Sequence, residues 1–181
     1  MRTIETKIYK INELSETAQN VAHDEFLNSS DFFEWSNDEF RDSLAKFCEL
    51  IGFIQWTDYD IPNNSISYKT AFDYQGEKHN FSGLRAWKWL ENNGWFDLAK
   101  KNANGDCTMT GVFTDSAFFD PIHKLANTPK ETPFIEQLFC ECLQAGIYAA
   151  SKEYEYQREF DQFVETSNAN EWEYLENGTL Y

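Results

Sequence analysis

A run of apolar residues at helical spacing near the end of the chain constrains its fold more than any other feature. Pro133 is a favoured first-turn residue of a helix, and the apolar residues that follow it recur with a period of 3.6 residues. They are Ile135, Leu138, Phe139, Cys142, Ala145, Ala149, Tyr156, Phe160, Phe163 and Val164. Such a stripe is stable only when it packs against other elements, so the sequence predicts a long C-terminal helix on a folded core.

Strand patterns are interspersed with the helical ones. The clearest predicted strand is the strictly alternating series Ile66, Tyr68, Thr70, Phe72 and Tyr74. Shorter strands are predicted over residues 3–11, from Ile54 onward, and over residues 107–114, where Thr, Val and Phe are enriched. Asn177-Gly178 between short alternating runs predicts a C-terminal β-hairpin. We therefore expect one α+β domain over residues 1–181, with a mixed or antiparallel sheet, several helices and a long C-terminal amphipathic helix followed by that hairpin.

Polar residues that cap helices mark the other predicted helices. Ser15 begins one helix, and Ser82 begins another that Gly94 closes. Ser36 and Glu39 have the spacing of a capping box, which places the start of a further helix at Ser36. A short helix is predicted near residues 115–119.

Acidic residues are in large excess and are clustered. The formal net charge is −16, from 31 Asp plus Glu against 15 Lys plus Arg. Residues 21–50 and residues 152–181 each hold eight acids and two bases. Aromatic residues make up 17% of the chain, which argues against disorder, so we expect the acids on a folded surface. Such a field repels nucleic acid and anionic membranes, so neither is expected to bind directly.

No catalytic motif dominates the sequence. Asp58 and Asp60 share one side of a predicted strand and could hold Mg²⁺ or transfer protons, although such acids are more often solvated edge charges. His23 could act as a base oriented by Asp24, but no Ser or Cys lies in a recognisable nucleophile elbow. No glycine-rich phosphate-binding motif is present. We predict no catalytic residue and no cofactor.

Metal binding by the cysteines is not favoured either. Cys140 and Cys142 lie two residues apart on a predicted helix, so their side chains point about 200° apart and cannot chelate one ion. The three histidines match no zinc spacing. The chain has no stretch of 18 apolar residues and no apolar run at its N-terminus, so we expect a cytoplasmic protein whose cysteines are reduced core residues.

The acidic residues themselves are the best candidates for a binding surface. Glu155 with Glu159, and Asp161 with Glu165, are spaced one helical turn apart, about 5.4 Å, and diagonal rows of acids shorten this distance toward the roughly 3.4 Å phosphate spacing of a DNA strand. These pairs repel each other, and a partner with a basic groove would relieve that repulsion. The predicted partner-binding residues are Asp24, Glu25, Asp38, Glu39, Glu155, Glu159, Asp161 and Glu165.

Three stretches of the chain resemble a known group of proteins. They are residues 8–15, residues 107–112 with Asp115 and residues 120–122, and residues 168–174 with residues 177–180. Together they are similar to a family of small acidic phage and prophage proteins, uncharacterised or labelled antitoxin-like. The chain has Glu34-Trp35-Ser36 where that family carries a double tryptophan. The resemblance implies a phage or mobile-element origin and implies no site residues.

These observations favour a binding protein. The leading hypothesis is a phage-encoded inhibitor of a host defence nucleoprotein, anti-CRISPR or anti-restriction in type. It would act in the bacterial cytoplasm by mimicking DNA at the basic site of a nucleic-acid-binding protein. The alternatives are an antitoxin-like or regulatory protein-binding module, and a metal-dependent enzyme that uses Asp58 and Asp60. A homodimer stays open.

Overall fold

The computed structural model describes residues 6–30, 32–70 and 81–181. Within them it confirms an α+β fold, with seven α-helices and a two-stranded antiparallel sheet. In chain order the elements are α1 (Glu16–Leu27), α2 (Glu34–Ile51), β1 (Ile54–Asp60), β2 (Ser65–Thr70), α3 (Gly83–Asn92), α4 (Trp95–Ala103), α5 (Thr114–Leu125), α6 (Ile135–Gln157) and α7 (Phe160–Ala169). Short 3-10 helices lie at Ile11–Glu13 and Pro129–Glu131.

The chain divides into two compact units. The terminal unit consists of Met1–Glu34 and Glu153–Tyr181, and the central unit consists of Trp35–Lys152. The single α+β domain expected over residues 1–181 stays a prediction.

The helix starts were predicted with mixed success. Ser15 is the N-cap of α1, and its Oγ accepts a hydrogen bond from the backbone N–H of Ala18 at 3.3 Å. The predicted capping box at Ser36 is wrong, because α2 begins at Glu34 and Ser36 is buried inside the helix. Gly94 does follow α3, but it also precedes a helix that the sequence patterns missed, α4.

An aromatic cluster forms the core of the central unit. Phe118 is fully buried and stacks on Phe47 with 4.9 Å between ring centroids. Gly146 of α6 faces this cluster so closely that an added Cβ would lie 2.2 Å from Cε1 of Phe118. The absence of a side chain at residue 146 therefore lets α6 approach the aromatic core.

The two strands form a hairpin in the central unit. β1 and β2 pair in antiparallel register, with an irregularity between Trp56 and Asp58. Asp60 accepts hydrogen bonds from the Asn63 side chain at 2.8 Å and the Asn63 backbone at 3.0 Å, and these bonds lower the pKa of Asp60. The continuation of the predicted strand through Phe72 and Tyr74 lies outside the described residues.

The predicted strand over residues 107–114 is wrong. This segment is a turn-rich loop that the buried carboxylate of Asp115 organises. Asp115 Oδ2 accepts the backbone N–H groups of Thr110 and Gly111, both at 2.8 Å, and Oδ1 accepts the Thr110 hydroxyl at 3.0 Å. Because Asp115 holds these donors, they cannot join a sheet ladder.

Substitution of Asp115 tests this arrangement. Hydrogen bonds to a charged group contribute about 1.5–3 kcal/mol, so we expect Asp115→Ala to lower the free energy of unfolding in urea by about that amount. We expect Asp115→Asn to cost less, because its amide oxygen can still accept the two backbone N–H groups. Equal stability of the wild type and the Ala variant would contradict this role.

The predicted helix–hairpin ending is also wrong. The apolar stripe is interrupted between α6 and α7, where Glu159 has an extended backbone (φ −65°, ψ 140°). Beyond α7, Tyr174 forms isolated bridges with Tyr9 and Leu180 rather than two paired strands. The predicted N-terminal strand likewise contributes only the Tyr9 bridge within the described residues, and residues 3–5 lie outside them.

Burial of Tyr174 explains why the end of the chain takes this path. Its backbone N–H and C=O pair with those of Tyr9, both at 2.9 Å, and its hydroxyl lies 2.8 Å from the Ser167 hydroxyl. Burial raises the pKa of the Tyr174 hydroxyl. The predicted Asn177-Gly178 turn does form, since Leu175 and Thr179 are joined across it by a 2.9 Å hydrogen bond. The turn therefore folds residues 175–181 back beside Tyr174 without building a hairpin.

Candidate protein-binding site

The negative charge of the chain is concentrated in the terminal unit. Although this unit is the smaller one, it holds 15 acids and only 4 bases, a net −11. The central unit holds 16 acids and 11 bases, a net −5. The terminal unit therefore concentrates negative charge about as strongly as the two acidic windows of the sequence, which together hold a net −12.

The predicted acids are divided between the two units. Asp24 and Glu25 on α1, and the four acids of residues 155–165, lie in the terminal unit, and all six are exposed. Asp38 and Glu39 lie in the central unit and are half-buried. Asp38 also pairs with Arg41 at 3.1 Å. The structure thus brings six of the eight predicted residues into one compact unit, and their role in binding stays a prediction.

Helix stability does not account for Asp24 and Glu25. Both lie in the last turn of α1, which has no basic residue there. Negative charge near a helix C-terminus is unfavourable by about 0.3–1 kcal/mol per residue. Glu159 and Asp161 differ, since they lie at the N-terminus of α7, where negative charge is favourable.

Arg158 and Lys10 of the terminal unit interact with groups other than the predicted acids. Arg158 donates to the Tyr154 hydroxyl at 2.9 Å and lies over the Tyr154 ring at 5.3 Å. Lys10 donates to the Glu171 carbonyl at 2.7 Å and pairs with Glu173 at 3.5 Å. Within the part of the chain that the structure describes, no side-chain hydrogen bond or ion pair involves the carboxylates of Asp24, Glu159, Asp161 and Glu165.

An apolar pocket of about 420 Å³ lies in the same unit. Its lining consists of Ala22, Glu25, Phe26, Ser29, Phe163, Thr166, Trp172, Tyr174 and Leu180. The Phe26 ring lies 5.3 Å from that of Phe163 and 5.7 Å from that of Trp172. A volume of this size is in the range of ligand sites, roughly 300–1,000 Å³.

The C-terminal turn builds one wall of this pocket. Gly178 is buried against α1, and an added Cβ would lie 2.1 Å from the carbonyl oxygen of Ala18. The pocket could not be predicted from the sequence, because the local pattern places Trp172 and Leu180 in a hairpin. The Asn177-Gly178 turn, three residues after Tyr174, is the local pattern that pointed to this region.

The candidates for catalysis have other roles in the structure. His23 packs its ring on Phe160 and Phe163, and its Nε2 lies 3.1 Å from the Arg158 carbonyl oxygen. Asp58 accepts a hydrogen bond from the backbone of Tyr59 at 3.0 Å, and Asp60 holds the adjoining turn. Over residues 6–30, 32–70 and 81–181, no group of three or more His, Cys, Asp or Glu could hold a metal ion.

The cysteines are all free. Cys48 and Cys142 are buried and Cys140 is half-buried, whereas Cys107 is exposed, so the prediction of a core position is wrong for Cys107. Burial raises the pKa of Cys48, Cys140 and Cys142, which makes these thiols poor nucleophiles.

Comparisons with family models, with curated proteins and with solved structures found no match for this chain. The resemblance to acidic phage proteins stays a prediction. None of the helices in the described ranges has the length and apolar character needed to cross a membrane.

Proposed function

We propose that this chain is an acidic binding protein whose terminal unit occupies the basic surface of a nucleic-acid-binding protein. The observation that carries the proposal is the net −11 of that unit, on which four exposed carboxylates are without a cationic partner among the described residues. The specific form we favour is a phage-encoded inhibitor of a host defence complex, anti-CRISPR or anti-restriction in type. It acts in the bacterial cytoplasm by taking the place of DNA.

Electrostatics explains how such a surface selects its partner. Asp161 and Glu165 lie one turn apart on the exposed side of α7, and like charges at that spacing repel by about 0.2–0.5 kcal/mol. A groove lined by Lys and Arg relieves this repulsion and speeds association through long-range attraction. Because salt screens exposed charges over about 10 Å at 0.1 M, the affinity should fall steeply as salt is added.

Charge reversal at Asp24 and Glu165 tests the role of these acids in binding while the fold is kept. Asp24 lies in the last turn of α1, where lysine interacts favourably with the helix dipole, and Glu165 is exposed in the second half of α7, so the fold should be kept. The immobilised full chain is used to capture proteins from a bacterial lysate, which are then eluted with a salt gradient or with duplex DNA. We expect the wild type to retain a nucleic-acid-binding protein that both treatments release, and we expect Asp24→Lys/Glu165→Lys to lose it.

A matched control carries the same change of charge on the central unit. Glu91 and Asp120 are exposed, and each lies in the second half of its helix, so Glu91→Lys/Asp120→Lys should retain the partner. Equal loss in both variants would show that only net charge matters. Retention by Asp24→Lys/Glu165→Lys would also contradict the proposal.

The apolar pocket favours a second candidate, an antitoxin-like or regulatory module that binds another protein mainly by burying apolar surface. Burial of apolar surface is strengthened rather than screened by salts such as sulfate. In that case the captured protein stays bound at high salt, and duplex DNA does not displace it.

A further inference from the structure

We propose that the pocket of the terminal unit binds one apolar side chain from a peptide segment that carries Lys or Arg on either side of it. The inference rests on the proposed function, because it names the part of the basic partner that this unit holds. It adds a ligand class for a pocket that lies beside the acids and is lined mostly by aromatic and aliphatic side chains.

The lining selects an apolar occupant. Phe26 and Phe163 present aromatic rings to the pocket, and Trp172 and Leu180 line it from the C-terminal segment. Leu180 is 52% exposed, so the pocket presents apolar surface to water. An aliphatic or aromatic side chain removes this surface from water, which favours binding.

The rim of the pocket selects a positive charge. Glu25 is the charged residue of the lining, it is exposed, and it receives a hydrogen bond of 3.4 Å from the Thr179 hydroxyl. It also lies in the last turn of α1, where the carbonyl groups of the helix add negative potential. A Lys or Arg next to the buried side chain would contact Glu25 while its neighbour fills the pocket.

Charge also disfavours the other occupants. A second copy of this chain would bring another unit of net −11 to the same surface, and an anionic lipid or a nucleic acid would add negative charge to it. A basic segment with an apolar residue matches both the lining and the rim.

Three blocked pentapeptides test the two requirements separately, with the isotopically labelled full chain observed by NMR. Lys-Lys-Leu-Lys-Lys has both properties, Lys-Lys-Ser-Lys-Lys lacks the apolar side chain, and Glu-Glu-Leu-Glu-Glu lacks the positive charge. We expect saturable shifts at Phe26, Trp172 and Leu180 with the first peptide, at an affinity about tenfold above either of the others, which corresponds to 1.4 kcal/mol.

Two variants locate the binding. We expect Leu180→Ala to weaken the Lys-Lys-Leu-Lys-Lys complex several-fold, and Glu25→Gln to reduce the preference for this peptide over the glutamate peptide. Leu84→Ala is the matched control, because Leu84 is an exposed leucine of the central unit and should leave the affinity unchanged.

Equal affinity for the three peptides, shifts confined to the central unit, or pocket shifts that depend only on protein concentration would overturn the inference. The last outcome would identify a second copy as the occupant. The lysate experiment is independent, because Asp24 and Glu165 do not line the pocket. If the Lys-Lys-Leu-Lys-Lys peptide binds the pocket but the lysate experiment shows no salt-sensitive capture, the proposed function alone is refuted. If capture is salt-sensitive but the peptide does not bind the pocket, the inference alone is refuted.

Discussion

Gly146→Ala is expected to lower the free energy of unfolding by about 1–3 kcal/mol, the usual cost of overpacking a core. A Cβ at this position would lie 2.2, 2.4 and 2.6 Å from three carbon atoms of the Phe118 ring. In an exposed helix the same substitution stabilises by about 1 kcal/mol, because alanine has the higher helix propensity. We expect the steric conflict to exceed this gain.

The Phe118 ring has little room to move away. It is 0% exposed and lies between Phe47, with 4.9 Å between centroids, and Phe40, at 6.1 Å. A shift of Phe118 would therefore displace both neighbours or push α6 away from the cluster.

A double-mutant cycle with Phe118→Leu measures the conflict directly. Urea unfolding of the wild type, both single variants and the double variant gives the coupling energy. We expect Gly146→Ala to cost less when residue 118 is leucine, because the flat ring is gone. An unchanged cost in that background, or a Gly146→Ala protein more stable than the wild type, would show that close packing does not require this glycine.

Gly178→Ala is expected to destabilise the terminal unit by about 2–5 kcal/mol, as the sum of backbone strain and steric overlap. Gly178 has φ +94°, which alanine adopts only with strain. An added Cβ would also lie 2.1 Å from the oxygen and 2.9 Å from the carbon of the Ala18 carbonyl. Since both atoms belong to the backbone of α1, a rotamer change cannot relieve the overlap.

Besides lowering overall stability, Gly178→Ala should disturb the structure around the C-terminal turn. Displacement of the turn moves Leu180, which lines the pocket, so Gly178→Ala should also weaken binding of the Lys-Lys-Leu-Lys-Lys peptide. We expect faster hydrogen exchange at the amide of Tyr174, whose hydrogen bond to Tyr9 holds the same segment.

Gly105→Ala separates strain from overlap. Gly105 has φ +83°, but no atom lies within 4 Å of its added Cβ. This variant should lose only about 1–2 kcal/mol, the cost of the left-handed conformation. Equal losses for Gly105→Ala and Gly178→Ala would mean that the approach of the C-terminal turn to Ala18 contributes nothing.

Some structural elements that depend on neighbouring residues in the chain were predicted correctly from the sequence. The Ser15 cap and the start of β1 at Ile54 depend on residues adjacent in the chain, and the structure has both. The strand over residues 107–114 failed because Asp115 takes its backbone donors, although its composition favours a strand. The predicted hairpin is reduced to one isolated bridge between Tyr174 and Leu180, and Tyr174 also pairs with Tyr9, more than 160 residues earlier.

The candidate site likewise combines residues that the sequence identified with residues that only the tertiary structure brings together. The acids were identified from composition and spacing, but the pocket unites residues near 22–29, 163–166 and 172–180, which no local pattern connects.

The sequence by itself determined the α+β class, the net charge of −16 and the clustering of the acids along the chain, because periodicity and charge are properties of the chain. Tertiary structure alone decided that six of the eight predicted acids lie in the terminal unit and that an apolar pocket lies in that unit. The physical reason is burial. Tyr174 is buried among the first and last segments of the chain, and Gly178 lies against Ala18, so contacts between distant residues hold the C-terminal turn beside α1.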